Sequence, residues 1–192
     1  LNIFALDKDP FIAASMHCDK HFSKLIVEGA QLLSTAYRVD RGVLTDALSK
    51  SGRKVKRWVL PDPVEDALVY IATHINHPSA VWVRQSGSNY KWTFDLTNEL
   101  ARMYALAKGK PHGCQPVLDF LNPGDVCYPD LPPPMAMDDV YKVAGDPNSW
   151  DTVVASYRNY YNKSKSRFAT FGKYGNETPY WYRNEYVTIQ TL

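Results

Sequence analysis

Between His17 and Arg38 the apolar residues Phe22, Leu25, Ile26, Gly29, Leu32, Leu33 and Ala36 recur at steps of three and four. That is the spacing of one buried face of a long amphipathic helix. At 100° per residue, His17, His21, Lys24, Glu28, Gln31 and Thr35 gather on a second, polar strip, within about 80° of one another and about 120° round from the apolar stripe. An imidazole, an amine and a carboxylate are thereby stacked at the edge of the core. One reading of the strip is a solvated face with a single Lys24/Glu28 pair, worth about a few tenths of a kcal/mol. The other is the wall of a site.

The 192 residues, 45% of them hydrophobic, suffice for a proper core and suit one domain better than two. A net charge of +2 gives no strong overall field, so any basic surface for nucleic acid must be local. Cys18, Cys114 and Cys127 are odd in number and irregularly spaced, which predicts free thiols in a reducing compartment. No apolar run approaches the roughly 18 residues of a membrane span. The acidic Asp7-Lys8-Asp9-Pro10 stands where a signal sequence would be apolar. The expectation is a soluble cytoplasmic protein with no membrane partner. Thirteen tyrosines and five tryptophans, many in the last third, can pack a core or stack on bases.

In chain order, Asn2 to Leu6 is a short apolar run, and Asp9-Pro10 supplies an N-cap and a first-turn proline. A first helix is expected from Pro10, with a bend around His17 to Asp19. Residues 41–63 read as a basic insertion with Lys50, Arg53, Lys54, Lys56 and Arg57, and Val55, Trp58, Val59 and Leu60 suit one strand of a short hairpin around 54–60. Those charges are either a solvated loop or a phosphate contact. Asn76-His77-Pro78 signals a turn and then a short helix to Gln85. Gly87 is expected to break it, and Ser88 or Asn89 to cap a longer helix to Lys108 on Trp92, Leu96, Leu100, Met103 and Ala107. His74 and His77, flanking the turn, read first as hydrogen-bonded structural histidines.

After Gly109 a Pro/Gly-punctuated region holds a short helix around Val117 to Leu121 and an extended strap at 123–148, including Leu131 to Met135. Ser149 is expected to cap a last helix with Val153, Val154, Tyr157 and Tyr161 inward and Arg158, Tyr160, Lys163, Lys165 and Arg167 outward. Cations interleaved with rings suit single-stranded or distorted nucleic acid; ordinary amphipathic packing is the alternative. Lys173, Tyr180 and Trp181 extend that surface or cover the core. His17, His21, Cys18 and Glu28 make a divalent metal conceivable, but the glutamate of the zincin signature is missing and no other ligand pair stands nearby, so none is expected. A phosphate-binding glycine loop, a dinucleotide fingerprint and a nucleophile elbow are likewise missing.

Three stretches together carry a family resemblance. In the first, the apolar run is followed by Asp19-x-His21, with Glu28 seven residues after the histidine, and Phe22-Ser23-Lys24-Leu25-Ile26-Val27-Glu28 aligns with a bacterial motif. The second is Asn76-His77-Pro78 with Trp82, Arg84 and a long helix ending at Gly109; the third is Tyr157-Arg158-Asn159-Tyr160-Tyr161-Asn162-Lys163. In these the chain resembles a divergent, phage-like member of the pyrimidine-dimer DNA glycosylase superfamily, of the endonuclease V type. The match covers about half of the chain.

The resemblance implies a mainly helical single domain, without metal or organic cofactor, that bends duplex DNA, extrudes a damaged or modified pyrimidine nucleotide and cleaves its N-glycosyl bond. It would act in the cytoplasm of a host cell if phage-encoded. Glu28 takes the role of the catalytic glutamate, facing the positive charge that develops on the sugar. The attacking amine, also capable of AP-lyase chemistry through a Schiff base, is the α-amino group of Leu1, with Lys24 as the substitute. His21, grouped with these catalytic residues, contacts the opened DNA or positions the backbone, while Arg84, Arg158 and Lys163 hold phosphates, and Asn76, His77, Lys91, Tyr160 and Tyr161 complete the DNA surface. This chain departs from the pattern at Val27, where the phage enzyme carries an arginine, and at Leu1, where it exposes a small residue. Those departures keep two other readings open: a pyrimidine-modifying enzyme of phage DNA on the same scaffold, and a non-catalytic nucleic-acid-binding or inhibitor protein.

Overall fold

The apolar stripe becomes α2, Asp19–Arg41, in a computed structural model that describes residues 1–49 and 51–185. Ahead of it lies α1, Pro10–Ser15, where the Asp9 carboxylate accepts from the N–H groups of Phe11 (2.8 Å) and Ile12 (3.2 Å) and Pro10 occupies the first turn. The expected bend at 17–19 is a full break. Cys18 is extended at the N-cap of α2, and the Asn176 side chain donates to the His17 carbonyl, so the long helix starts two residues later than its periodicity suggests.

α2 lies against α5, Gly87–Lys108, which also packs on α1 and on α4, Pro78–Gln85. Gly29 sets the approach of the two long helices: a Cβ there would meet Thr97 Oγ1 at 2.1 Å and Thr97 Cβ at 3.0 Å. The cap of α5 is Ser86, whose hydroxyl accepts from the Asn89 N–H at 3.1 Å, and not Ser88 or Asn89. An extended Ser86 thus separates α4 from α5, and Gly87 is tolerated in the first turn, where four N–H groups lack helical partners anyway. Gly109, at φ +65°, ends α5 in the left-handed conformation that glycine adopts without strain.

Ile3 to Leu6 run buried through the centre, and the connected core continues from there to Tyr174. α7, Trp150–Tyr160, places Val153 and Tyr157 in it and continues as one π turn, Tyr161–Lys165. Ser149 occupies the N-cap position of α7 but makes no side-chain cap bond. Between α6, Gln115–Phe120, and α7 the chain is irregular apart from one 3-10 turn at Asp139–Tyr141, and Pro132 and Pro133 are buried within it. The three thiols are free; Cys18 and Cys114 are buried and Cys127 is exposed.

The basic segment after α2 contains an antiparallel hairpin, β1 Val43–Leu48 with β2 Lys54–Val59, in the register Val43↔Val59 to Leu48↔Lys54. Lys50 lies outside the described residues. A short helix unforeseen in the sequence, α3 Pro63–Leu68, follows the hairpin, and Asp62 caps it. Buried Arg38 ties all of this to α2. Its guanidinium donates to the carbonyls of Trp58, Asp66, Val69 and Tyr70 and to the Asp66 carboxylate, at 2.5–3.0 Å. The protein is therefore mainly α with one short β-hairpin. Among the described residues, no helix is long and apolar enough to cross a membrane.

Candidate functional site

Glu28 sits midway along α2 with its side chain 16% exposed, and both of its carboxylate oxygens meet nitrogen. Oε1 lies 3.5 Å from Lys24 Nζ, one turn earlier. Oε2 accepts from the Asn2 N–H at 3.2 Å and lies 4.0 Å from the Leu1 nitrogen. The Leu1 side chain is 4% exposed while the residue as a whole is half-buried, so its accessible atoms belong to the backbone. Asn2 is clamped in turn. Its amide donates to the Ala136 carbonyl of the strap at 3.0 Å, and the Tyr157 hydroxyl lies 2.9 Å from the Pro134 carbonyl and 3.3 Å from Asn2 Oδ1.

His77 belongs to the same neighbourhood. It is the N-cap of α4, where Nδ1 accepts from the Ser79 N–H at 3.2 Å. Burial first, and then the positive charge at residue 1 and at His74, push its pKa down, with Glu28 pulling the other way. The structure thus gathers Leu1, Lys24 and Glu28 into one cluster, with His77 near enough to feel its charges. Asn76 is exposed beside it.

The polar strip does not stay together along its length. His21 is 4% exposed and faces inward, with Nδ1 and the Tyr161 hydroxyl 2.5 Å apart and its ring against Phe4 and Phe168. Burial brings its pKa down to about 3, helped by the charges of His17, Lys165, Lys24 and Lys20. His17 is fully buried, with Nδ1 2.7 Å from the Ala13 carbonyl, Nε2 unpartnered and its pKa lowered by burial to about 4. Thr35 is buried as well and bonded to the Thr73 backbone. The N-terminal run and the segments after α7 wrap this side of α2, which is why His21 is buried along with the apolar face that the sequence suggests.

Several expected DNA contacts are occupied internally. Arg84 donates to the Ile75 and Ala80 carbonyls. Lys91 is clasped by Asp95 at 2.7 and 2.8 Å, and Arg158 donates to the Leu6 carbonyl and the Asp7 carboxylate. Tyr161 is fully buried and cannot stack on a base in this conformation. Tyr160 and Lys163 are half-buried near the surface. In their place lies a basic-aromatic band, of which Tyr160, Lys165 and Arg167 belong to the surface expected from the sequence and Lys20 and Phe168 do not. Lys165 sits over the Tyr160 ring at 4.3 Å, and Lys20 and Arg167 sit over Phe168 at 4.7 and 5.7 Å. Lys20 was legible as the residue one turn before Lys24; its aromatic partner, 148 positions away in the chain, was not. Buried His21 underlies the band, and the band adjoins Glu28 through Lys24.

An open groove of about 1150 Å³ runs between α4 and the strap, walled by Asn76, Trp82, Asn89, Asp130, Met135 and Lys142 among others. Glu28, Lys24 and Leu1 are not among the residues that line it; Asn76 and Met135, which do, are the chain neighbours of His77 and of the Ala136 that holds Asn2. Among the described residues no group of three or more His, Cys, Asp or Glu side chains is placed to hold a metal ion. Comparison of the chain with protein-family models, with curated proteins and with solved structures gives no match.

Proposed function

We propose that this chain is a DNA-processing enzyme that engages a pyrimidine nucleotide extruded from duplex DNA and cleaves its N-glycosyl bond with Glu28 and a neighbouring amine. The observation that carries the reading is the convergence of the Leu1 nitrogen and Lys24 Nζ on one half-buried carboxylate, beside a basic-aromatic band. An amine attacks carbon only when neutral, and a carboxylate at 3.5–4.0 Å is placed to take its proton. As the amine adds to C1′, the bond to the base breaks and its electrons leave with the base. Once it has passed that proton to the departing base, Glu28 is anionic again and faces the positive charge spreading over the sugar, an interaction stronger in the transition state than in the ground state. Loss of the sugar-ring C–O bond gives the imine, which supports AP-lyase strand scission. Lys20, Lys165 and Arg167 would hold phosphates, and Tyr160 and Phe168 offer faces for unstacked bases.

A second reading, transfer of a group onto the pyrimidine, draws on the groove. Its volume exceeds the roughly 300–1,000 Å³ of ordinary small-ligand pockets, leaving room for a substituted base or a second substrate. Borohydride trapping on duplexes carrying a cyclobutane dimer or an abasic site, with nothing added before residue 1, tests the first reading. A trapped adduct is expected, and peptide mapping assigns it to Leu1 or Lys24. Nucleoside mass spectrometry separates the alternatives: a released base supports glycosylase action, and an altered nucleoside supports modification. Empty traps, unchanged nucleosides and a Glu28→Gln protein that binds DNA like wild type would leave a non-catalytic binding protein.

A further inference from the structure

The hairpin is the least buried element of the molecule and its most basic. Five of the 22 basic residues and one of the 20 acidic residues fall within 43–59, so these seventeen positions carry a net +4 and the remainder of the chain a net −2. The acid, Asp46, is exposed and lies 3.8 Å from Lys56 across the ladder. Both faces of the ribbon are open: Val43 is 61% and Leu48 68% exposed, and Lys54 and Lys56 share with Leu48 the face opposite Val43, Val55 and Arg57.

A two-stranded ribbon standing alone is marginal in water, so its root must hold it. Here the root is rigid. Arg38 grips the Trp58 carbonyl, Leu60 is buried with its N–H on Asp66, and Gly42 lets the turn after α2 close against the Arg38 and Val59 carbonyls, where a Cβ would come within 2.6 and 3.1 Å. Beyond that root the strands reach out by about 20 Å, at roughly 3.3 Å per residue.

The root also shares a side of α2 with the basic-aromatic band. Lys20 and Arg38 are eighteen residues apart in one helix, five whole turns, so their side chains leave it in the same direction about 27 Å apart along the axis. The major groove of duplex DNA admits a two-stranded ribbon, and it repeats about every 34–36 Å. From these observations we infer that the ribbon 43–59 is a DNA-gripping arm, which holds the phosphates lining a groove of the same duplex about one helical turn from the phosphates held by Lys20 and the basic-aromatic band. The inference rests on the DNA-processing reading above. Charge decides the occupant: a protein strand added to the ribbon edge would need acidic residues to match a net +4, which a phosphate backbone supplies at every step.

Replacing Arg53, Lys54, Lys56 and Arg57 together by Gln tests it, with binding to labelled abasic-analogue duplexes measured by anisotropy across a salt series. On a duplex of about 30 base pairs, the dependence of log Kd on log salt should flatten by about 3, at roughly 0.9 per phosphate contact. Affinity there should fall at least about tenfold, and a duplex of about 12 base pairs, too short to reach the arm, should show little change. Asp46→Lys, which adds cation to an exposed site, should steepen the salt dependence on the long duplex. Equal slopes for wild type and the Gln variant on the long duplex overturn the arm while leaving the DNA reading intact. An equal loss on both lengths also overturns it, placing those cations at the central site. Loss of a dimer in light scattering would assign the ribbon to self-association instead. A wild-type protein with no salt-sensitive duplex binding removes the DNA reading and the arm with it.

Discussion

Glu28 and Gly29 are adjacent, yet one turn of helix gives them opposite tasks. Glu28 meets the nitrogens of Leu1, Asn2 and Lys24, and Gly29 lets α5 come close enough to fix where α2 stands. Alanine at position 29 would gain about 1 kcal/mol of helix propensity. Against this, its methyl would sit 2.1 Å from the oxygen of a buried threonine that already donates to the Thr93 carbonyl at 2.7 Å. Overpacking of this kind costs about 1–3 kcal/mol, so the steric term wins. Gly29→Ala should lower the urea midpoint, and adding Thr97→Ala should restore part of the loss; a Gly29→Ala protein as stable as wild type would remove the close-approach account. The helices would part on the Glu28 side of α2, so trapping yield should fall along with stability.

Among the elements, the hairpin and α3 have little core of their own: no residue of α3 is buried. They are held through Arg38, whose removal leaves the Asp66 carboxylate and several carbonyls without their partner. Asp66 is 34% exposed and keeps the Leu60 N–H, so the cost is mainly that of the backbone carbonyls left unpaired, about 1–3 kcal/mol. Arg38→Met should therefore destabilise the protein by that order, and amide exchange should rise in 43–70 before it rises in α5. Uniform exchange across the chain would count against a local latch. This same arrangement explains what was legible. The Asp-Pro start of α1 and the stripes of α2 and α5 could be read because propensity, capping and periodicity agree there. The identical Asp62-Pro63 signal went unread because α3 buries nothing and so has no apolar period. The gathering of Glu28 and Lys24 followed from i,i+4 geometry. Whether a cation is free could not be read, since that depends on partners such as the Leu6 carbonyl for Arg158, far off in the sequence.

Across the whole molecule, the histidines inside the core tie stability to pH. His17 and His21 are buried with their pKa values lowered to about 4 and about 3, whereas in the unfolded chain both return to about 6.5. Between those values the unfolded state binds protons that the native state refuses, so stability is full above about pH 6.5 and declines as pH falls towards 4 and then 3. Between pH 7 and pH 5 the decline should be about 2 kcal/mol for each histidine, well before Asp66, whose carboxyl is held below its usual range by the Leu60 N–H and Arg38, takes up a proton. Urea midpoints measured at pH 7.5, 6 and 5 should therefore fall steadily, and His17→Gln should flatten the slope by about half even where it weakens the protein at neutral pH. A midpoint unchanged from pH 7.5 to pH 5 would show that both rings bind protons freely in the folded state, and that the core around Tyr161 is open to water. The band above His21 shares this dependence: Lys20, Lys24 and Lys165 already disfavour a charged His21, so under the proposed function the duplex affinity should fall on acidification in step with unfolding and recover on return to pH 7.5.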